Sequence, residues 1–165
     1  MADIEVVVKK IPDQKVAYVP HTDSFSKLPE FIREVGELIA ENNMEAVGFP
    51  YGSYENDMEE RAETTQMFEI GMPVKYDMGG KPALRLGKLG LKEVAEHTVI
   101  SAYHVGSHKN FDKTIKAMVE FSIENQYDIV GPITEIYIPA DEDTPVEETR
   151  TEVQLPVIYM GPRDE

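Results

Sequence analysis

The chain has 165 residues, 41% of them hydrophobic and 28% charged, and its 31 acidic against 16 basic side chains leave a formal charge of −15. That length fits one domain burying roughly 68–70% of its unfolded surface, and so acidic a surface repels phosphate backbones, which argues against direct nucleic-acid binding. With no cysteine there are no disulfides, thiolate zinc sites or cysteine nucleophiles.

Ile4–Val8 and Lys15–His21 are rich in β-branched residues and read as strands, with Ile11-Pro-Asp-Gln14 as the turn between them. Leu28, Phe31, Ile32, Val35, Leu38 and Ile39 recur at helical spacing. They predict an amphipathic helix over Lys27–Asn42, with Ser26 as N-cap and Pro29 in the first turn. Strands follow near Ala46–Tyr51 and Gln66–Val74, on either side of Glu55–Glu63, a loop whose five acids read as solvated. Asp77-Met-Gly-Gly-Lys-Pro82 is turn-rich and reads as a connector. Beyond it, Val94 and Val99–Val105 read as strands, and Phe111, Ile115, Met118 and Val119 mark a helix over Asn110–Asn125. Ile133–Ile138 and Thr149–Tyr159 are the closing strands, and Asp141–Glu148 is a second acidic loop.

The two halves are alike. Shifted by 83 residues, Leu28–Val74 aligns with Phe111–Val157 without a gap, and 11 of the 47 pairs are identical, against the roughly 6–7% that ordinary residue usage gives by chance. Glu41-Asn42/Glu124-Asn125, Val47-Gly48/Val130-Gly131, Tyr54/Tyr137, Glu69/Glu152 and Pro73-Val74/Pro156-Val157 are among them. Each copy reads strand, helix, strand, strand, over about residues 3–76 and 84–159 with a connector at about 77–83. One such unit is too small to enclose a core. The expected fold is therefore α+β: a single domain in which a curved antiparallel sheet carries two main helices on one face, with pseudo-two-fold symmetry. The other face is expected to form a central cleft between the repeats, a common kind of ligand site.

Alternation along the strands selects what faces that cleft. Val153 and Leu155 go to the helices, which leaves Glu152 and Gln154 on the opposite side; Phe68, Ile70 and Met72 likewise leave Glu69 and Gly71. Ile136 and Ile138 are read as inward, so that Tyr137 shares the Glu152 side, while Tyr51 and Tyr54 occupy the matching strand and its exit in the first copy. The candidate ligand-binding residues are Glu152, Tyr137, Tyr103, Glu69, Tyr51, Tyr54 and Tyr18. The competing reading is that polar groups there are merely wet positions of half-buried strands. His104 and His108 are four apart, but the segment runs from a strand into a turn, so no metal site is expected. Nucleotide-binding glycine loops, nucleophile elbows and zinc-protease helix motifs are absent from the sequence, and neither a cofactor nor a catalytic residue is assigned.

Four segments, Val6-Val-Val-Lys-Lys-Ile-Pro12, Phe68-Glu-Ile-Gly-Met-Pro-Val74, Tyr127-Asp-Ile-Val-Gly-Pro-Ile-Thr-Glu-Ile-Tyr137 and Thr151-Glu-Val-Gln-Leu-Pro-Val157, together resemble the GyrI-like small-molecule-binding domain. That family includes effector domains of AraC- and MerR-type multidrug regulators, stand-alone forms and a DNA gyrase inhibitor. The resemblance implies the tandem fold with a pocket between the halves. It also implies an acidic residue of the last strand, matched by Glu152, at the pocket base among aromatics, where it meets cationic lipophilic drugs. Tyr137 matches the family's tyrosine of the preceding strand. The sequence departs from the regulators in carrying no helix-turn-helix segment, and the acidic insertion Glu55–Glu63 alters the rim.

The leading expectation is a stand-alone, cytoplasmic binder of hydrophobic, cationic or amphipathic small molecules, with no signal peptide and no membrane attachment. A flat cation would stack on Tyr137, Tyr103 and Tyr51 with Glu152 as counter-charge. One alternative is a hydrolase of electrophilic small molecules, in which Glu152 or Glu69, its pKa raised by an apolar site, activates water. The other is a gyrase-inhibitor-like interaction module whose acidic loops engage a basic protein partner. The acidity itself fits either adaptation to a salty cytoplasm or attraction of cationic partners.

Overall fold

The computed structural model describes residues 4–24, 27–54, 66–106, 111–139 and 149–162. In chain order these form β1 (Val6–Ile11), β2 (Gln14–Asp23), α1 (Leu28–Glu41), β3 (Glu45–Ala46), β4 (Tyr51–Tyr54), β5 (Gln66–Lys75), β6 (Ala83–Leu86) and β7 (Leu89–Val94). β8 (His97–Val105), α2 (Phe111–Glu124), β9 (Tyr127–Ile129), β10 (Ile133–Tyr137) and β11 (Arg150–Tyr159) complete the series. The fold class is α+β, two helices with antiparallel strands, as expected. Among the described residues no helix is long and apolar enough to cross a membrane. Both acidic loops, Ser26 and His108 lie outside the described residues. The chain divides into two compact units, Pro12–Glu96 and Met1–Ile11 with His97–Glu165.

In the unit of residues 12–96 the strands run β4-β5-β2-β7-β6, and β3 pairs the far end of β5. α1 lies on β5 and β2 because its apolar stripe matches the stripe that strand alternation presents. Val35 and Ile39 are buried against a layer of Ala17, Val19, Ile70, Leu89 and Leu91, each large side chain contributing about 1.5–3 kcal/mol on burial. Lys27 is the N-cap, with no side-chain bond to the first turn, and Pro29 sits in that turn. The β6–β7 hairpin occupies residues that the sequence reading leaves to a connector and a single strand at Val94. Leu86 pairs Leu89 across a two-residue turn at Gly87–Lys88, and Leu84 pairs Leu91.

In the other unit the order is β1-β8-β11-β10, with β9 also on β11. β1 leaves its sequence neighbour β2 and pairs all along β8, from Val6 opposite Ala102 to Ile11 opposite His97. The first strand thus belongs with residues 97–165 rather than with the copy it precedes. α2 packs on β8 and β9 and buries Phe111 and Met118 over Ile100, Ala102, Val153 and Leu155.

Local details recur at positions 83 apart. Asn43 and Gln126, just past each helix, have φ of 59° and 65°. Asn42 and Asn125 donate to the carbonyls of Leu38 and Phe121. Val47 N–H donates to Pro73 O and Val130 N–H to Pro156 O, each at 2.9 Å. A Cβ on Gly48 would lie 2.8 Å from the Pro73 ring, and one on Gly131 3.0 Å from the Pro156 ring. A side chain at either place would push the two backbones apart.

Candidate functional site

Residues directly opposite each other in antiparallel strands share a face. On β5, Phe68 and Ile70 face α1, and Glu69 and Gly71 face away. Glu69 is joined there by Ser53 and Pro20, and Gly71 by Tyr51 and Tyr18. Tyr18 also pairs Gly90 on β7, one register step from Lys92. The two glycines make room for the two phenol rings. A Cβ on Gly71 would stand 2.8 Å from Tyr51 Oη and 2.6 Å from Ala17 O; on Gly90 it would stand 2.5 Å from Tyr18 Cζ. With the rings laid flat, Tyr51 Oη donates to Glu69 Oε2 at 2.5 Å. Lys92 Nζ donates to Glu69 Oε1 at 2.6 Å and sits 4.3 Å from the centre of the Tyr18 ring. Both carboxylate oxygens of Glu69 are therefore occupied. Burial, reinforced by the Glu69 charge and hydrogen bond, pushes the Tyr51 phenol well above its ordinary range, so it stays protonated and acts as a donor.

In the unit holding residues 97–165, Glu152 on β11 stands between Tyr103 on β8 and Ile136 on β10. This face is turned away from α2, which packs on His104: His104 Nδ1 lies 3.1 Å from Thr114 Oγ1, and its ring meets Phe111 edge-on. Glu152 is 7% exposed and its neighbour Tyr103 47%. Three donors reach the carboxylate: Lys9 Nζ at 2.6 Å, Ser101 Oγ at 2.7 Å and Gln154 Nε2 at 2.9 Å. All three end on Oε2, and Oε1 receives none of them. Burial alone would raise the Glu152 pKa. The hydrogen bonds from Gln154, Lys9 and Ser101, with the Lys9 charge, outweigh it and hold the carboxyl below its ordinary value.

Two of the seven candidates fall elsewhere. Tyr137 pairs Thr151, so it lies on the α2-facing side and not beside Glu152; its hydroxyl donates to Glu135 Oε1 at 3.3 Å. Ile136 takes the place expected for it. Alternation anchored on apolar Ile136 as inward puts Tyr137 on the wrong face, because it is the fully buried Glu135 that shares the α2-facing side with Tyr137. Tyr54 pairs Phe68 and is 2% exposed, on the face toward α1. The structure brings together Glu69, Tyr51 and Tyr18 in one unit, and Glu152 and Tyr103 in the other. Lys9 and Lys92 were missed, although strand alternation from Val7 and from Gly90 puts each on its glutamate's face. Among the described residues no group of three or more His, Asp or Glu could hold a metal ion.

A groove of about 290 Å³ opens beside α1, lined by His21, Phe31, Glu34, Arg85 and Lys88 among others. His21 stacks on Phe31 at 3.9 Å, and its Nε2 is buried with no hydrogen-bond partner among the described residues. Burial lowers the His21 pKa, partly offset by Glu34.

The GyrI-like small molecule binding domain family matches residues 4–158. The chain belongs to that family. Among solved structures, this GyrI-like chain is similar to the EcmrR C-terminal domain, with 18% identity, 95% of this chain and 99% of that chain covered, and a TM-score of 0.78. It is also similar to EcmrR in its DNA complex, with 16% identity, 95% coverage of this chain and a TM-score of 0.79, and there it spans 58% of the EcmrR chain. A hydrolase from Listeria innocua shares 13% identity over 93% of this chain and 92% of that one, with a TM-score of 0.64. SAV2435 bound to tetraphenylphosphonium shares 10% identity over 93% and 94%, with a TM-score of 0.58. At such identities the likeness is one of fold. No curated protein matches the chain.

Proposed function

We propose that this GyrI-like chain binds lipophilic organic cations on the sheet face that carries Glu152 and Tyr103. The observation that carries the reading is an ionised, largely buried carboxylate beside a half-exposed phenol ring. Glu152 supplies the counter-charge, and Tyr103 offers an aromatic face worth about 0.5–2 kcal/mol to a stacked cation. Ser101 and Gln154 keep the carboxylate in place while a ligand binds. The family's small-molecule character and the tetraphenylphosphonium bound to the neighbour SAV2435 support this choice of ligand class. Hydrolysis through Glu152 is the less favoured reading, because a general base that activates water near neutrality is strengthened by a raised pKa and this carboxyl is shifted the other way.

The test is a calorimetric titration with tetraphenylphosphonium. Glu152→Gln keeps the shape and the hydrogen bonds of one oxygen but removes the charge. Affinity is expected to fall by about 1.5–3 kcal/mol, tenfold or more. Equal affinity in wild type and variant would remove Glu152 from the counter-charge role.

A further inference from the structure

The two glutamates are each paired with a lysine, but the two lysines are not held alike. Lys92 is fixed twice, by Glu69 Oε1 and by the Tyr18 ring beneath it. The other oxygen of Glu69 is closed by Tyr51. Lys9 has one described partner, Glu152 Oε2. Its side chain is 37% exposed, and it stands on β1, the outermost strand in its unit's order. The oxygen it touches is already satisfied by two neutral donors, Ser101 and Gln154, so the carboxylate does not depend on Lys9 for its hydrogen bonds. An ammonium on a four-carbon stem regains hydration readily when it swings out. At Glu152, then, one oxygen is free of these donors, and Lys9, the one cation paired with the group among the described residues, can move.

We propose that Lys9 is a releasable counter-ion, occupying Glu152 when no ligand is bound and displaced by the ligand's own cation. This rests on the reading of Glu152 as a cation site and goes beyond it. Lys9 becomes the residue that sets how strong a cation must be to bind. With Lys9 in place the carboxylate is electrically balanced, so weakly attracted amines and buffer cations are screened out. A lipophilic cation that also gains contact with Tyr103 meets the threshold. Glu69, with both oxygens occupied and its lysine pinned, has no such exchange.

The experiment compares tetraphenylphosphonium binding to wild type, Lys9→Met, Lys9→Arg, Glu152→Gln and the Lys9→Met/Glu152→Gln double variant, each first checked for a cooperative thermal transition. Removing a half-exposed partner charge is expected to tighten binding roughly two- to fivefold in Lys9→Met. Lys9→Arg is expected to stay within that range of wild type or bind more weakly, and the gain from Lys9→Met is expected to vanish in the Glu152→Gln background. Binding that Glu152→Gln weakens but Lys9→Met leaves unchanged overturns the role of Lys9 alone. A gain that persists without Glu152 overturns it too, by showing that Met acts through its own apolar surface. Absence of binding in all five proteins overturns this inference together with the cation-site reading beneath it.

Discussion

Glu69 and Glu152 stand 83 residues apart at matching places in the sequence, yet they differ atom by atom. One is closed by a phenol and a pinned lysine; the other gathers its donors on a single oxygen. That difference could not be read from the chain, because it depends on which neighbouring strand delivers each lysine. The identity of the two glutamates and their direction away from the helices were legible, because alternation along a strand is geometric. Tyr137 and Glu135 were not, since a fully buried carboxylate runs against the usual sorting of residues by polarity. His21 offers a second residue-level test. Its folded pKa lies below the ordinary histidine value, so the folded state holds fewer protons than the unfolded chain. Stability therefore rises with pH through the ordinary histidine range, near about 6.5, and is lost below it. His21→Phe keeps the stack on Phe31 and removes the unpartnered nitrogen. It is expected to be stabilising by about 1 kcal/mol, with a gap in Tm over wild type that widens from pH 8 to pH 5.5. A gap independent of pH would show that His21 does not titrate in this way.

The helices were the easiest elements to foresee. Their apolar stripes are long and regular, and the observed bounds, Leu28–Glu41 and Phe111–Glu124, fall inside the expected ones. The β6–β7 hairpin was missed because its short strands follow closely on the turn-rich Asp77–Pro82 segment, which reads as a connector. Leu84, Leu86, Leu89 and Leu91 were the available signal, apolar residues alternating on both sides of a Gly-Lys pair. The glycines of β5 and β7 were legible only as residues, and their role comes from the strands beside them. Gly71→Ala would drive a methyl to 2.6 Å from the Ala17 carbonyl, a backbone atom that cannot swing aside. We expect a loss of about 1–3 kcal/mol in chemical denaturation. The same variant is expected to weaken the Tyr51–Glu69 hydrogen bond, visible as a lower Tyr51 pKa in ultraviolet titration. Unchanged stability and titration would show that the strands can part without cost.

At the scale of the whole molecule, identities 83 apart were legible, and several of them have local physical reasons. Val47-Gly48 and Pro73, like Val130-Gly131 and Pro156, make one hydrogen bond and one close backbone approach in each unit. What the repeat could not reveal is that the chain's first strand serves the second unit. Nothing in Val6–Ile11 encodes a partner some ninety residues away, and pairing with the adjacent β2 is the cheaper guess by loop closure. The division into units predicts that residues 12–96 made alone give a cooperative thermal transition. Residues 97–162 made alone would present the bare edge of β8 and aggregate. A monomeric, cooperatively folding 97–162 fragment would contradict this. The same pairing bears on how the protein is made. Residues 12–96 are contiguous and can begin to fold while synthesis continues. β1, though made before β8, must wait for that strand to emerge before its backbone groups find their mates, and it carries Lys9 with it. The Lys9–Glu152 ion pair therefore cannot form until β8 and β11 have followed β1 off the ribosome.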